Sequence, residues 1–214
     1  MLIASYNPQH LGDVLLTMIN PDSANQAVEK KENVVRIYDS KTKQTLGYNF
    51  FDVSKTLTGL NGNGQIELTV EQVEKLNQLL AAVGFDSELV FDDEPKFVVG
   101  YVEEMEAHPD SDHLHITQTR VDGDRVLQIV CGAPNIEKGQ TVVVAKQGAM
   151  MPTGTMIWNG KLRGVESDGM ICSARELGLP NAPQKRGILV LPADEYQTGE
   201  EFDFDKAATL FTKN

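Results

Sequence analysis

Short apolar runs broken by turn-forming residues fill the first third of the chain. Leu2 to Tyr6, Val14 to Ile19, Val34 to Tyr38 and Leu46 to Val53 are separated by clusters of Asn, Pro, Asp and Ser, which is how strands joined by turns read. The period changes after Gly59-Leu60-Asn61-Gly62-Asn63-Gly64, a glycine-rich stretch that reads as a mobile turn. Val73, Leu76, Leu79, Leu80 and Val83 then recur at helical spacing, with Thr69-Val70-Glu71-Gln72 as a capping box in front and Gly84 as the stop. Residues 1–94 are therefore expected to form a small α+β domain, closed by the acidic run Asp92-Asp93-Glu94 and Pro95.

Beyond that boundary the pattern returns to strands: Phe97 to Met105, Leu114 to Val121, Val126 to Cys131, Thr141 to Lys146 and Ile188 to Leu191. Leu127, Ile129 and Cys131 alternate with Val126, Gln128 and Val130. Five strands with one helix-length interruption suit a Greek-key barrel of the oligonucleotide-binding (OB) kind over residues 95–192, although strand count alone also allows other small barrels. The expected fold is thus mainly β with α+β: a five-stranded barrel preceded by the small domain. Residues 193–214 form an acidic extension, expected to pack on the barrel or at an interface.

Composition narrows the class. Apolar residues make up 41% of the 214, close to half once the 18 glycines are added, which is ordinary for a globular chain. No run approaches the length of a membrane span, and residues 1–10 hold neither a basic group nor a long apolar stretch, so a soluble cytoplasmic protein is expected. Cys131 and Cys172 lie too far apart in sequence for a Cys-x-x-Cys pair and read as buried thiols in a reducing compartment.

A net charge of −12, taken alone, argues against nucleic acid, but the acid is unevenly spread. Residues 1–94 hold 7 Lys/Arg against 14 Asp/Glu, residues 95–192 hold 10 against 11, and residues 193–214 hold 2 against 6. Between Lys138 and Arg186 there are seven cations against Glu166, Asp168 and Glu176, or four acids with the preceding Glu137. That stretch is the electropositive candidate.

Catalytic motifs are mostly missing: there is no Gly-x-Ser-x-Gly elbow, no His-Glu-x-x-His and no phosphate loop. Ser40-Lys41-Thr42-Lys43 matches Ser-x-x-Lys but lacks the companion motifs and reads as a polar loop. His108-Pro109-Asp110-Ser111-Asp112-His113-Leu114-His115 has a metal-like composition, yet its proline and aspartates favour a strand-to-strand loop capped by its own side chains. No metal, cofactor or catalytic residue is expected.

Four segments in order carry a resemblance: His108-Pro109-x-x-Asp112-x-Leu114, Ile129 to Ile136, Lys161 to Ser173, and Glu176-Leu177-Gly178-Leu179. At these residues the chain resembles the tRNA-binding domain appended to the phenylalanyl-tRNA synthetase β-subunit and to bacterial methionyl-tRNA synthetases. Its whole arrangement is similar to the free-standing YtpR-type tRNA-binding proteins. The resemblance implies non-catalytic binding of tRNA that is structure-specific and largely indifferent to sequence, with Asn135, Ser167, Met170 and Ser173 on the RNA face. The charge census adds Lys146, Lys161, Arg163 and Arg175 as phosphate contacts. His113 stands where family members commonly carry a basic residue, which predicts a weaker grip. Only Phe97, Tyr101 and Trp158 are aromatic between residues 96 and 192, which favours folded RNA over single strands. Beside tRNA, an aminoacyl-tRNA synthetase is a candidate partner and a homodimer a candidate assembly; DNA and membrane are not expected. Two other readings stay open here: a protein-interaction module of the translation machinery, and an enzyme acting on aminoacyl-tRNA or a small thiol through Cys172 or the His108 cluster.

Overall fold

The alternating runs of the first third build a six-stranded antiparallel sheet. The computed structural model describes residues 1–212, and the chain divides into two compact units, Met1–Glu94 and Pro95–Asn214. In the first unit the elements run β1 (Ile3–Tyr6), a one-turn helix α1 (Pro8–Leu11), β2 (Val14–Met18), β3 (Gln26–Lys31), β4 (Val34–Asp39), β5 (Thr45–Phe51), a 3-10 turn (Val53–Lys55), β6 (Gly64–Ile66) and α2 (Val70–Ala82). The strand order is β3-β4-β5-β2-β1-β6. β3 and β6 are the two edges, and neither shows an apolar alternation in sequence: β3 is Gln-Ala-Val-Glu-Lys-Lys and largely exposed, and β6 emerges from the stretch that reads as a mobile turn. Lysines on an edge strand also discourage pairing with other chains.

The capping box forms as the sequence requires. The Thr69 hydroxyl accepts from the Gln72 N–H at 3.2 Å and the Gln72 side chain accepts from the Thr69 N–H at 2.9 Å, so two donors of the first helical turn are satisfied. The helix then buries Val73, Leu76 and Leu80 with Leu15, Tyr48 and Phe50 of the sheet. Lys31 donates to the Gly84 carbonyl at 2.6 Å, placing a cation at the helix C-terminus.

The second unit contains β7 (Phe97–Ala107), β8 (His115–Arg120), β9 (Val126–Cys131), β10 (Thr141–Ala145), the hairpin β11 (Gly160–Leu162) and β12 (Val165–Ser167), β13 (Met170–Ile171) and α3 (Phe204–Ala207). The main sheet has the order β13-β10-β7-β8-β9, and β13 lies against β9 to make a nearly closed barrel of the OB type. The long β7 serves two partners: residues 97–101 pair with β10 and residues 101–107 with β8, and the register shifts between Val102 and Glu104. That irregularity bends the strand around the barrel.

Two expectations are corrected. The fifth strand is Met170–Ile171, paired with Val144 and Ala145, and not Ile188 to Leu191. The latter run makes only an isolated bridge, Val190 to Val142, with Leu189 N–H donating to the Cys172 carbonyl and Leu191 N–H to the Thr141 carbonyl. The helix-length interruption holds turns and the β11–β12 hairpin, with no helix assigned among the described residues there.

The unbroken apolar run of β10 follows from burial on both faces. Val142 and Val144 point into the barrel with Val98, Val102, Ile129 and Ile171, while Val143 and Ala145 point outward to Val99, Cys172, Tyr196, Phe202 and Ala207. The outer layer is thus supplied partly by residues 193–212, and residues 199–202 also run beside the start of β7: Val99 N–H donates to the Glu200 carbonyl at 2.9 Å and Phe202 N–H to the Phe97 carbonyl at 2.9 Å. Among the described residues no helix is long and apolar enough to cross a membrane.

Candidate nucleic-acid interface

A groove of about 300 Å³ opens at one side of the barrel where β9, β13 and two loops meet. Val130 to Pro134 form one wall, Met170, Ile171 and Ser173 the second, and Arg186 to Ile188 the third, with Arg175 and Glu176 on the same lining. The third wall is held by Asn135. Its amide donates to the Ile188 carbonyl at 3.0 Å and its carbonyl oxygen accepts from the Ile188 N–H at 2.8 Å, so one side chain satisfies both backbone groups of a residue 53 positions away. A Cβ at Gly187 would come within 2.7 Å of the Asn135 carbonyl oxygen, which reserves that position for glycine. Arg186 is brought to the groove by this clamp.

Ser173 begins a tight turn with its own capping box: its hydroxyl accepts from the Glu176 N–H at 3.2 Å, and the Glu176 carboxylate accepts from the Ser173 N–H at 2.7 Å. The serine hydroxyl keeps its own proton to donate. This turn projects Arg175 into solvent beside the groove.

Lys161 and Arg163 lie apart from these, on the β11–β12 hairpin. Arg163 and Gly164 both have positive φ, 48° and 84°, the geometry of the tight turn that fits the twist of a hairpin. The hairpin is joined to β9 by Asp168 N–H to the Gln128 carbonyl (2.8 Å), by the Gln128 amide to the Glu166 carbonyl (2.9 Å), and by Val130 N–H to the Ser167 hydroxyl (3.1 Å). Its other support is His108, 3% exposed. His108 Nδ1 accepts from the Asp110 N–H at 3.0 Å, and its Nε2 faces the Leu162 carbonyl at 3.1 Å. A carbonyl only accepts, so Nε2 is the donor there while Nδ1 is the acceptor. Arg163 closes the connection by donating to the Asp110 carbonyl at 2.8 Å.

The residues expected at an RNA face therefore separate into three groups. Met170, Ser173 and Arg175 line the groove. Lys161 and Arg163 are exposed on the hairpin, where Lys161 is 2.8 Å from Glu166 and its pKa is raised by that bond. Asn135 and Ser167 use their side chains on backbone groups, and Lys146 stands apart: only 3% exposed, it points its ammonium at Asp122, 3.4 Å away. Arg186 and the Gly132-Ala133-Pro134 wall are absent from the sequence-based site set. Arg186 appears in the charge count, but its place beside Arg175 depends on the Asn135 clamp.

The two side chains that an enzymatic reading would use, Cys172 and His108, are both buried. Burial pushes the Cys172 thiol up to about 12, far from a reactive thiolate, and raises Cys131 as well. Both ring nitrogens of His108 are engaged, one within its own loop and one by the hairpin. Among the described residues no group of three or more His, Cys, Asp or Glu is placed to hold a metal ion. A second concavity of about 310 Å³ sets Glu104 and Glu106 against Lys138 and does not favour phosphate.

Comparison with known proteins places the chain in a family. Residues 97–201 match the family model described as "Putative tRNA binding domain", and residues 21–92 match a "Domain of unknown function (DUF4479)". The chain is 48% identical over 202 residues to the "Putative tRNA-binding protein YtpR" of Bacillus subtilis, covering 94% of this chain and 99% of that protein. The chain belongs to the YtpR family. The phenylalanine–tRNA ligase beta subunit of Oceanobacillus iheyensis is 51% identical over 121 residues, 54% of this chain but 15% of that subunit, so the likeness to the ligase is confined to a small part of it. The C-terminal domain of Plasmodium vivax p43 aligns at 22% identity with a TM-score of 0.34, over 56% of this chain and 78% of that one.

Proposed function

We propose that this protein binds tRNA without chemistry, through the groove beside β9 and β13, recognising folded RNA mainly by its backbone and largely without regard to base sequence. The observation that carries this reading is the convergence of Arg175 and Arg186 on one groove whose rim also holds the Ser173 hydroxyl, in a chain of net charge −12. Guanidinium groups suit phosphate through charge and paired donors, and a serine hydroxyl suits a sugar or phosphate oxygen. The exposed Arg163 and Lys161 supply a further contact along the hairpin, with Lys161 held back by its bond to Glu166. Family membership and the domain match at residues 97–201 support the ligand class. The buried Cys172 thiol and the fully engaged His108 ring support binding over catalysis.

The test is a titration of labelled tRNA at several salt concentrations. Neutralising about three phosphates gives a log–log slope of roughly −2 to −3. The Arg175→Ala, Arg186→Ala double variant is expected to bind less tightly with a shallower slope. Absence of a complex at low salt would sink the reading.

A further inference from the structure

The groove holds more than a phosphate contact requires. Its volume of about 300 Å³ sits at the lower end of the range for small-molecule sites, enough for a nucleoside-sized group and too small for a duplex. Pro134, Met170 and Ile188 give it apolar surface, which does nothing for an oxyanion but suits the face of a base. Glu176 lies on the same lining, where its carboxylate repels phosphate yet can accept from the N–H groups on the edge of a base. Arg175 and Arg186 supply planar guanidinium groups, and among the described residues lining the groove none is aromatic.

From this combination we infer that the groove receives one unpaired nucleotide of the bound RNA, its base lying against an arginine plane and the apolar wall while its phosphate stays outside. Guanidinium planes stack on bases as aromatic rings do, and stacking tolerates any base because each has a π-face. The inference rests on the tRNA reading and sharpens it. Indifference to sequence and preference for folded RNA become compatible, because loops and ends of a folded RNA offer unstacked nucleotides whereas a blunt duplex does not.

Arg175→Lys in the full chain separates stacking from simple charge. Lysine keeps the positive charge and loses the plane, so tRNA affinity is expected to fall roughly five- to twentyfold while the salt slope stays that of the parent protein. In competition against labelled tRNA, a single-stranded oligoribonucleotide is expected to outcompete a blunt RNA duplex of equal phosphate number. Arg175 is exposed, and an unchanged melting curve verifies that the variant is folded. Parental affinity in Arg175→Lys, or equal competition by the duplex, would overturn the nucleotide site and leave tRNA binding standing. Failure of the parent protein itself to bind tRNA would instead overturn the functional reading beneath it.

Discussion

Lys146 follows a strand whose every residue is buried, and its ammonium meets Asp122 at 3.4 Å. In sequence it belongs to the most cationic stretch of the chain; in the fold it is an interior ion-pair partner. Charge counting could not separate the two, because the carboxylate that meets the ammonium, Asp122, lies 24 positions away in sequence. Lys146→Ala is accordingly expected to destabilise the second unit by about 1–3 kcal/mol in urea unfolding, from the lost charge-assisted bond. The folded variant is expected to keep near-parental tRNA affinity. A large affinity loss without loss of stability would return Lys146 to the RNA face. Asn135 makes the same point differently: nothing in the sequence marks the backbone of Ile188, 53 positions away, as the partner of its amide.

Elements were legible where local chemistry and burial agree. Helix α2 needed only Thr69, Gln72 and a periodic apolar face, and both reciprocal capping bonds form. β9 is assigned the same residues by alternation and by structure. Reading failed for the edge strands β3 and β6, where solvent exposure removes the alternation, and for the two-residue β13, too short to carry a period. The β11–β12 hairpin depends on a contact invisible in sequence, the His108 ring reaching Leu162 across 54 positions. His108→Ala deletes the donor to Leu162 and the acceptor for Asp110 together. Faster amide exchange over residues 160–167 is the expected outcome, with about 1–3 kcal/mol lost from the second unit. Unaltered exchange there would show that the bonds to β9 hold the hairpin alone.

Across the whole molecule, the chain divides after Glu94 and its charge is unevenly spread, with the first unit strongly acidic. The acidic unit also has its own response to acid. Asp39 ends β4 and accepts from the Ser23 hydroxyl and from the N–H groups of Lys41 and Thr42. These bonds, that of Ser23 first, hold its carboxyl at about 2, below the usual carboxylate range. The folded state thus binds the proton less readily than the unfolded one. Its stabilising effect is complete above about pH 4 and disappears as the pH falls through about 2. In acid titrations of thermal unfolding, Asp39→Asn is expected to flatten this part of the pH dependence for the first unit; an identical profile would assign the effect to other carboxylates.

Residues 199–202 carry a practical corollary. They cover the backbone edge of β7 at Phe97 and Val99 and bring Phe202 over the outer face of β10. Proteolytic trimming that removes them uncovers both an open strand edge and a greasy layer, the pairing that drives aggregation. Fragments ending near Pro192 should therefore be sticky.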